Sequence, residues 1–293
     1  MQVFSGRVAV VTGSGSGIGE ALVWRFARAG MKIVAADIDL AAAERVTTAL
    51  KHAGFEALAI RTDVADASSV EHLAERAYAA HGMVHILCNN AGVVPSGRHR
   101  PVWEQPIEDW RWSFDVNLMG VVHGIRAFVP RMLAQGAPAH IVNTASVAGF
   151  VSGSGSTAYS AAKHAVVRVT EGLYAGLLER GASIGVTCLC PGLVATRIYD
   201  SERNRPERLM SASGAPAAES PELQAIAADL YANALKPEQV AEQTFEAIRD
   251  NRLYQFTTTA FDTPIRERAE AILARRNPTF ADLLTLSKRD LPR

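Results

Sequence analysis

The sequence has no excess of charge of either sign, few cysteines and no long apolar run. Its 293 residues contain thirty Lys and Arg against thirty Asp and Glu, for a formal net charge of zero. A nucleic-acid binder that neutralises phosphates normally carries a basic excess or a basic patch, and no run of this chain supplies one. We therefore expect no nucleic-acid partner.

No segment reaches the roughly 20 consecutive apolar residues that would span a bilayer. The N-terminal run MQVFSGRVAVVTGSG also lacks the charged and apolar regions of a secretory signal peptide. Cys88, Cys188 and Cys190 make an odd count in a large chain, which is the wrong pattern for a disulfide framework. These absences predict a cytoplasmic protein that does not enter a membrane.

Cys188 and Cys190 lie two residues apart in the apolar run IGVTCLC, and this spacing raises the question of a metal site. On a strand both side chains would share one face, but no neighbouring His or Cys completes a tetrahedral zinc site. The pattern favours core packing over metal binding, because free cysteine is usually a small buried hydrophobe. We predict no metal.

Short β-branched apolar runs alternate with longer amphipathic segments between residues 7 and 190, which is typical of βαβ units. The predicted strands cover residues 7–12, 32–37, 56–61, 85–89, 140–145 and 184–190, with a seventh at 251–256. The predicted helices lie near residues 17–29, 41–53, 67–81, 109–133 and 159–180. Near-continuous apolar strands are buried on both faces. The sequence therefore predicts an α/β fold, a Rossmann-type doubly wound parallel sheet of about seven strands with helices on both faces.

Two stretches depart from this rhythm within what we interpret as one domain over residues 1–293. Residues 197–236 are rich in Ser, Ala, Pro and Glu, with a helical patch at 221–234, and residues 262–293 form a charged helical tail. A long insertion after a strand's carboxyl end lies where ligands bind in α/β sheets. We therefore interpret 197–236 as a substrate lid rather than a disordered linker.

Residues 12–19 read TGSGSGIG and lie between the first predicted strand and the first predicted helix. Glycines at positions 13, 17 and 19 let the backbone turn sharply and let a pyrophosphate approach the helix N-terminus, where free N–H groups favour an anion. Such glycines also suit an ordinary tight turn. The strand before the loop and the helix after it favour dinucleotide binding instead.

Asp37 ends the second predicted strand, where a carboxylate can accept hydrogen bonds from the adenine ribose hydroxyls. The alternative is a solvent-facing helix-cap aspartate. Beside the ribose it would repel a 2′-phosphate, because two like charges 4 Å apart cost about 4 kcal/mol at an effective dielectric constant near 20. No arginine stands beside Asp37 in the sequence, and Ser16 occupies a loop position where a basic residue would help NADP. NAD(H) is therefore the expected cofactor.

The string YSAAK places Tyr159 and Lys163 four residues apart, on one face of a predicted helix. A free tyrosine has a pKa near 10, but a nearby ammonium and a positive nicotinamide ring stabilise the phenolate. Tyr159 thus becomes a candidate proton shuttle. Ser146 ends a predicted strand, where its hydroxyl can bond a substrate oxygen, although a helix cap is the simpler interpretation. Asn117 is a poor interior helix former, for which solvent exposure is the alternative explanation.

In these motifs the chain resembles the short-chain dehydrogenases/reductases, in their single-domain, NAD-dependent branch. The matching positions, in the same order along nearly 200 residues, are TGSGSGIG (12–19), Asp37, Asp63 and Val64, NNAG (89–92), Asn117, Ser146, YSAAK (159–163) and PGLVAT (191–196). The resemblance does not extend to the lid and the tail. It implies reversible hydride transfer between a secondary alcohol and the nicotinamide, in a homotetramer or homodimer.

The resemblance also implies a role for each matching residue. Tyr159 would be the general acid/base, Lys163 would bind the nicotinamide ribose and lower the tyrosine pKa, Ser146 would orient the substrate oxygen, and Asn117 would hold a water that relays protons. The catalytic set is Asn117, Ser146, Tyr159 and Lys163. The implied cofactor-binding residues are Gly13, Ser14, Ser16, Gly17, Ile18, Gly19, Asp37, Ile38, Asp63, Val64, Asn90, Ala91, Gly92, Tyr159, Lys163, Pro191, Gly192, Val194 and Thr196.

The substrate is less defined than the reaction. The lid and the run at 116–133 resemble those of bacterial dehydrogenases of bulky aryl or terpenoid alcohols, so we expect a hydrophobic alcohol or ketone, aryl, terpenoid or steroid-like. Candidate pocket residues, each also an ordinary core or loop residue, are Val93, Val94, Gly149, Phe150, Val151, Ile198, Tyr199, Leu209 and Met210. The alternative function is a non-catalytic NAD-sensing or scaffold protein on the same fold, which would have little need for the complete catalytic set.

Overall fold

The computed structural model describes residues 1–95, 101–151, 156–210 and 234–278. Within these ranges, seven parallel strands form one sheet in the order β3-β2-β1-β4-β5-β6-β7. The predicted sheet is therefore confirmed. The strands are β1 (Val8–Thr12), β2 (Lys32–Asp37), β3 (Ala57–Arg61), β4 (Ile86–Asn89), β5 (Ala139–Thr144), β6 (Ile184–Cys190) and β7 (Tyr254–Phe256).

The helices of the described residues pack on both faces of the sheet, because alternate strand side chains point to opposite faces. On one face, Ala9 and Val11 pack with Phe26; on the other, Val8 and Val10 pack in a second buried cluster. The helices are α1 (Gly17–Arg28), α2 (Leu40–His52), α3 (Ala67–His81), α4 (Ile107–Ser113), α5 (Gly120–Gln135), α6 (Thr157–Glu179), α7 (Pro237–Arg249) and α8 (Asp262–Leu273).

The helix predicted at 109–133 is not regular, and this expectation is corrected. A π-helical segment, Phe114–Met119, separates α4 from α5. Single π-helical turns insert an extra residue into a helix and are frequent at functional sites. Asn117 lies in this segment, so its environment differs from that of an ordinary helical residue.

The strand order reverses beside β1, which pairs with β2 on one side and β4 on the other. Successive crossovers on the two sides of this point run in opposite directions and leave a crevice at the carboxyl ends of the strands. The loop after β1, the residues after β4 and those after β5 all meet there. The fold therefore brings the predicted motifs to one edge of the sheet.

The predicted lid is described only in part. It begins with two short 3-10 turns, Ile198–Asn204 and Glu207–Leu209, while most of the helical patch predicted at 221–234 lies outside the described residues. The predicted tail contains α8, and residues 279–293 lie outside the described part. No helix in the described ranges is long and apolar enough to cross a membrane.

Candidate active site

A cavity of about 370 Å³ lies at the carboxyl edge of the sheet, and its lining includes Asp37 at the end of β2 and Tyr159 on α6. It brings together all the predicted site residues except three. Ser14, Gly19 and Asn117 lie beneath its surface. The structure thus gathers nearly the whole predicted set around one cavity.

The loop after β1 is folded tightly enough to require glycine at specific positions. Gly13 has φ of +66°, and a Cβ there would lie 2.8 Å from the Cα of Ala91. Ser14 is buried, and its N–H and hydroxyl both donate to the carbonyl oxygen of Ala36, at 3.2 and 3.1 Å. The loop backbone therefore approaches its neighbours closely and presents a shallow cradle for a ligand.

Thr12 and Asn90 bind the end of β1 to the end of β4. The Thr12 hydroxyl accepts from the backbone N–H of Asn90 at 3.0 Å and from that of Ala91 at 3.1 Å. The Asn90 side-chain amide donates back to the Thr12 carbonyl at 3.0 Å. These bonds fix the two loops relative to each other where they line the cavity.

Asp37 faces the loop after β1 from the end of β2. Its Oδ2 accepts from the Gly15 N–H at 2.8 Å and its Oδ1 from the Asp39 N–H at 3.0 Å. Burial raises the pKa of this carboxyl, and the two backbone bonds oppose the rise. No arginine stands beside Asp37 in the sequence. In the fold, however, Arg203 of the lid lines the same cavity, and its positive charge favours the ionised form of Asp37.

Ser146, Tyr159 and Lys163 meet at the other end of the cavity. The side chains of Ser146 and Tyr159 are hydrogen-bonded to each other. Lys163 is buried, its Nζ donates to the Thr144 carbonyl at 2.7 Å, and this nitrogen lies 5.6 Å from the centroid of the Tyr159 ring. Ser146 also accepts from the Ala148 N–H at 3.1 Å, so the helix-cap interpretation is confirmed, and its bond to a substrate oxygen stays a prediction.

Burial dominates the protonation tendencies of Tyr159 and Lys163. Burial raises the pKa of Tyr159 above its ordinary value, and the bond to Ser146 only partly offsets the rise. Burial lowers the pKa of Lys163 to about 8. Desolvation of the phenolate thus outweighs the bond to Ser146. The lowering of the Tyr159 pKa by Lys163 together with the nicotinamide ring stays a prediction.

Asn117 is fully buried, which corrects the alternative explanation of solvent exposure. Its Oδ1 accepts from the Val93 N–H and its Nδ2 donates to the Val93 carbonyl, both at 3.0 Å. A Cβ on Gly92 would lie 2.9 Å from Asn117 Oδ1 and 3.5 Å from Lys163 Nζ. Asn117 thus fixes the loop after β4 close to Lys163. Its part in a proton relay stays a prediction.

One side of the cavity is apolar and includes the lid. Val93, Trp112 and Leu209 pack against one another there. Of the predicted pocket residues, Val93, Val94, Ile198, Tyr199 and Leu209 line the cavity, whereas Gly149, Phe150, Val151 and Met210 do not. Phe150 packs instead against the ring of Phe256, with centroids 5.0 Å apart, and Met210 is exposed.

Sequence reasoning missed three lining residues on α4 and the π-helical segment: Trp112, Asp115 and Val116. Their spacing of i, i+3 and i+4 is that of one helical face, so the periodicity could have identified them. Phe261 and the lid arginines Arg197, Arg203 and Arg208 were also missed. No local pattern marks these four, because tertiary folding brings them to the cavity.

Among the described residues, no group of three or more His, Cys, Asp or Glu side chains is placed to hold a metal ion. Cys188 and Cys190 are buried in β6, with sulfurs 3.7 Å apart. His123 and His164 each bond a backbone carbonyl, of Val64 and Gly149 respectively. The two cysteines are thus part of the core, and the two histidines are engaged with the backbone.

Comparison with known proteins identifies relatives over most of the chain. The family model described as short chain dehydrogenase matches residues 7–207. A 1-deoxy-11-beta-hydroxypentalenate dehydrogenase from Streptomyces arenae is 41% identical over 89% of this chain and 85% of its own length. A C alpha-dehydrogenase from Sphingobium sp. strain SYK-6 is 34% identical over 96% of this chain and 90% of its own.

Solved structures give the same result. A short-chain dehydrogenase/reductase from Burkholderia phymatum, crystallised in complex with NAD, superimposes with a TM-score of 0.91 at 44% identity. The match covers 96% of this chain and 99% of the Burkholderia chain. Sequence and structure therefore agree on one family across nearly the whole molecule.

Proposed function

Because this chain belongs to the short-chain dehydrogenase/reductase family of oxidoreductases, we propose that it is an NAD(H)-dependent dehydrogenase that interconverts a hydrophobic secondary alcohol and its ketone. The observation that carries the proposal is the convergence of Ser146, Tyr159 and Lys163 on one cavity. The buried ammonium of Lys163 lies behind the pair of Ser146 and Tyr159. A hydroxyl pair beside a cation is what proton exchange with an alcohol requires.

The residues at the other end of the cavity fit a dinucleotide. Gly13, Gly15 and Gly17 line the cavity without side chains, so their backbone can contact a pyrophosphate directly. Asp37 retains free lone pairs on its two oxygens after accepting its backbone bonds, and these can accept from ribose hydroxyls. Asp63 and Val64 line the space between for the adenine. When bound, NAD(H) supplies the hydride acceptor or donor for the alcohol carbon.

The chain's own residues handle the proton. Tyr159 gives its Oη proton to the substrate oxygen as the ketone is reduced, and the phenolate so formed takes the hydroxyl proton back when the alcohol is oxidised. Ser146 Oγ donates to the substrate oxygen as negative charge develops there. Because the pKa of Lys163 is about 8, its ammonium is mostly protonated at pH 7 and stabilises the developing phenolate. Asn117 keeps the β4 loop in place beside this ammonium.

The substrate is proposed to be bulky and apolar, aryl, terpenoid or steroid-like. Val93, Trp112 and Leu209 offer an apolar surface in the same cavity that Tyr159 lines. The Streptomyces arenae relative is a dehydrogenase of a hydroxylated compound, 1-deoxy-11-beta-hydroxypentalenate. A secondary alcohol with a large hydrocarbon body fits both observations.

Turnover against a panel of alcohols tests the proposal. Purified protein is mixed with NAD or NADP, and the absorbance of the reduced nicotinamide is followed with aliphatic, aryl, terpenoid and steroidal secondary alcohols. We expect turnover with NAD and a loss of about 10²–10⁴-fold in kcat in Tyr159→Phe, with NAD binding retained. Retained activity in this variant would refute the role of Tyr159.

A matched control is Tyr78→Phe, which removes a phenol that bonds Gln135 between α3 and α5, away from the cavity. This variant should keep wild-type turnover. NAD binding without turnover of any alcohol in the panel would instead support the non-catalytic NAD-sensing alternative.

A further inference from the structure

A buried ion pair joins the lid to α4. The Arg205 Nη2 lies 2.5 Å from Asp109 Oδ1, and the two side chains are only 5% and 10% exposed. Arg205 Nη1 also lies 3.1 Å from Glu202 within the same 3-10 region. The two paired residues are 96 positions apart in the sequence, so the pair is a purely tertiary contact.

The same guanidinium holds two residues that line the cavity. Its carbon lies 4.9 Å from the centroid of the Trp112 ring, and its Nε donates to the Leu209 carbonyl at 2.8 Å. Trp112 follows Asp109 by three residues on α4, so both face the lid from one side of that helix. One side chain therefore binds an acid, stacks on an aromatic ring and fixes a backbone carbonyl.

Arg205 and Asp109 do not line the cavity themselves, whereas Trp112 and Leu209 do. Trp112, Leu209 and Val93 pack together as the apolar wall. Any displacement of the guanidinium would free the Leu209 backbone and the Trp112 ring together. The pair thus acts on the cavity through its neighbours.

Packing alone does not explain this arrangement. Two charges removed from water are costly, and apolar residues of similar volume often replace a buried pair without loss of stability. A planar guanidinium, however, can meet a carboxylate, an aromatic face and a carbonyl at once in a fixed geometry, which neither lysine nor an apolar residue can do. This arrangement suits a protein in which the Trp112 ring and the Leu209 backbone have to be held in fixed positions.

We propose that Arg205, anchored by Asp109, is a positioning residue that holds Trp112 and Leu209 as the apolar wall and so sets the affinity for the alcohol substrate. The inference rests on the proposed function for the identity of the ligand. It assigns no contact between Arg205 and the reacting atoms. Its effect is on substrate binding, and the proton transfer at Tyr159 is left unchanged.

The variant Asp109→Asn tests this role because it keeps the side-chain shape and removes the charge. We expect KM for the best alcohol of the panel to rise about tenfold or more, with kcat and the KM for NAD within about twofold of wild type. The matched control is Glu71→Gln, which removes the partner of Arg131 in another 2.5 Å pair, between α3 and α5. It should leave all three constants unchanged.

Limited trypsin digestion gives a second readout that needs no turnover. Asp109→Asn keeps every arginine, and the bond after Arg208 precedes the buried Leu209. We expect this bond, identified by fragment mass, to be cut several-fold faster in Asp109→Asn than in wild type and Glu71→Gln. Should no alcohol be turned over by wild type, the proposed function fails, while the digestion still tests the wall.

Two results would overturn the inference: unchanged digestion and KM in Asp109→Asn, or equal losses of NAD affinity, alcohol affinity and thermal stability, which would mark a merely structural pair. If Asp109→Asn does not fold, Arg205→Lys replaces it. Lysine keeps the positive charge but loses the planar stack on Trp112 and the fork geometry. Faster cutting after Arg208 and a raised alcohol KM are then expected in this variant, and their absence would overturn the inference equally.

Discussion

The two sides of the cavity are held in place by different means. On the strand side, the loops after β1 and β4 are joined by backbone bonds and short side chains, such as those between Thr12 and Asn90. On the lid side, the backbone is held by side chains from distant elements: Arg205 reaches Asp109, and the Ser201 hydroxyl accepts from the Val94 N–H at 3.2 Å.

Because of this difference, the residues proposed for proton transfer and those proposed to bind the substrate are held by separate parts of the fold. The strand side carries Ser146, Tyr159 and Lys163 on elements whose positions follow from the sheet itself. The lid side depends on a few replaceable side chains, so a change there moves the wall without moving the reacting groups. Perturbing the strand side should therefore affect stability and cofactor binding, and perturbing the lid side should affect substrate affinity.

The largest effect is expected for the free energy of unfolding when Lys163, on the strand side, is replaced. Burial lowers its pKa from the usual 10.5 to about 8, so between pH 8 and 10.5 the unfolded chain binds more protons than the folded protein. The free energy of unfolding of wild type should therefore rise with pH across this window, relative to Lys163→Met, by about 3 kcal/mol. At pH 7 Lys163→Met should be more stable than wild type.

Urea denaturation of both proteins at intervals from pH 7 to 10.5 measures this difference. Lys51→Met, at an exposed lysine on α2, is the control for the loss of a lysine as such. A constant difference between wild type and Lys163→Met over the whole pH range would show that burial does not destabilise the ammonium.

The strand side was also the side that could be predicted from the sequence. Apolar runs and the glycine loop are local patterns, so the sequence predicts the sheet and the family. Parallel strands place their carboxyl ends at one edge, so it also predicts that the motifs lie close together. The effect of burial on the Tyr159 pKa could not be predicted, because the spacing of Tyr159 and Lys163 reveals the neighbouring charge but not the burial.

The contacts that hold the lid side could not be predicted from the sequence, and the reason is physical. The contact between Arg205 and Asp109 spans 96 positions, and no local periodicity signals it. The π-helical segment, Phe114–Met119, likewise reflects tertiary packing, including the bonds of buried Asn117 to Val93. Met210 was expected in the pocket because it is apolar and lies in the lid, but its side chain is exposed.

An intermediate effect is expected at Gly13. An alanine there would adopt a left-handed conformation and place its Cβ 2.8 Å from the Cα of Ala91, which lines the cavity. We expect Gly13→Ala to weaken NAD binding about tenfold or more, because strain of about 1–3 kcal/mol is relieved by displacing the loop. Calorimetric titration with NAD measures the affinity.

Gly54→Ala separates conformational strain from crowding. Gly54 also has positive φ, +86°, but a Cβ there would have no atom within 4 Å. This variant should lose about 1 kcal/mol of stability and keep wild-type affinity for NAD. Equal NAD affinity in Gly13→Ala and Gly54→Ala would show that the contact with Ala91 does not affect NAD binding.

The smallest effect is expected on the lid side, between two adjacent residues. Leu209 is buried and lines the cavity with Trp112, whereas Met210 is 61% exposed and does not. Leu209→Ala should raise KM for a bulky alcohol several-fold and leave kcat and NAD affinity close to wild type, because a lost apolar contact weakens substrate binding only. Met210→Ala should change none of the three. If instead kcat falls in Leu209→Ala, the wall also orients the alcohol toward Tyr159, and the separation between the two sides of the cavity is incomplete.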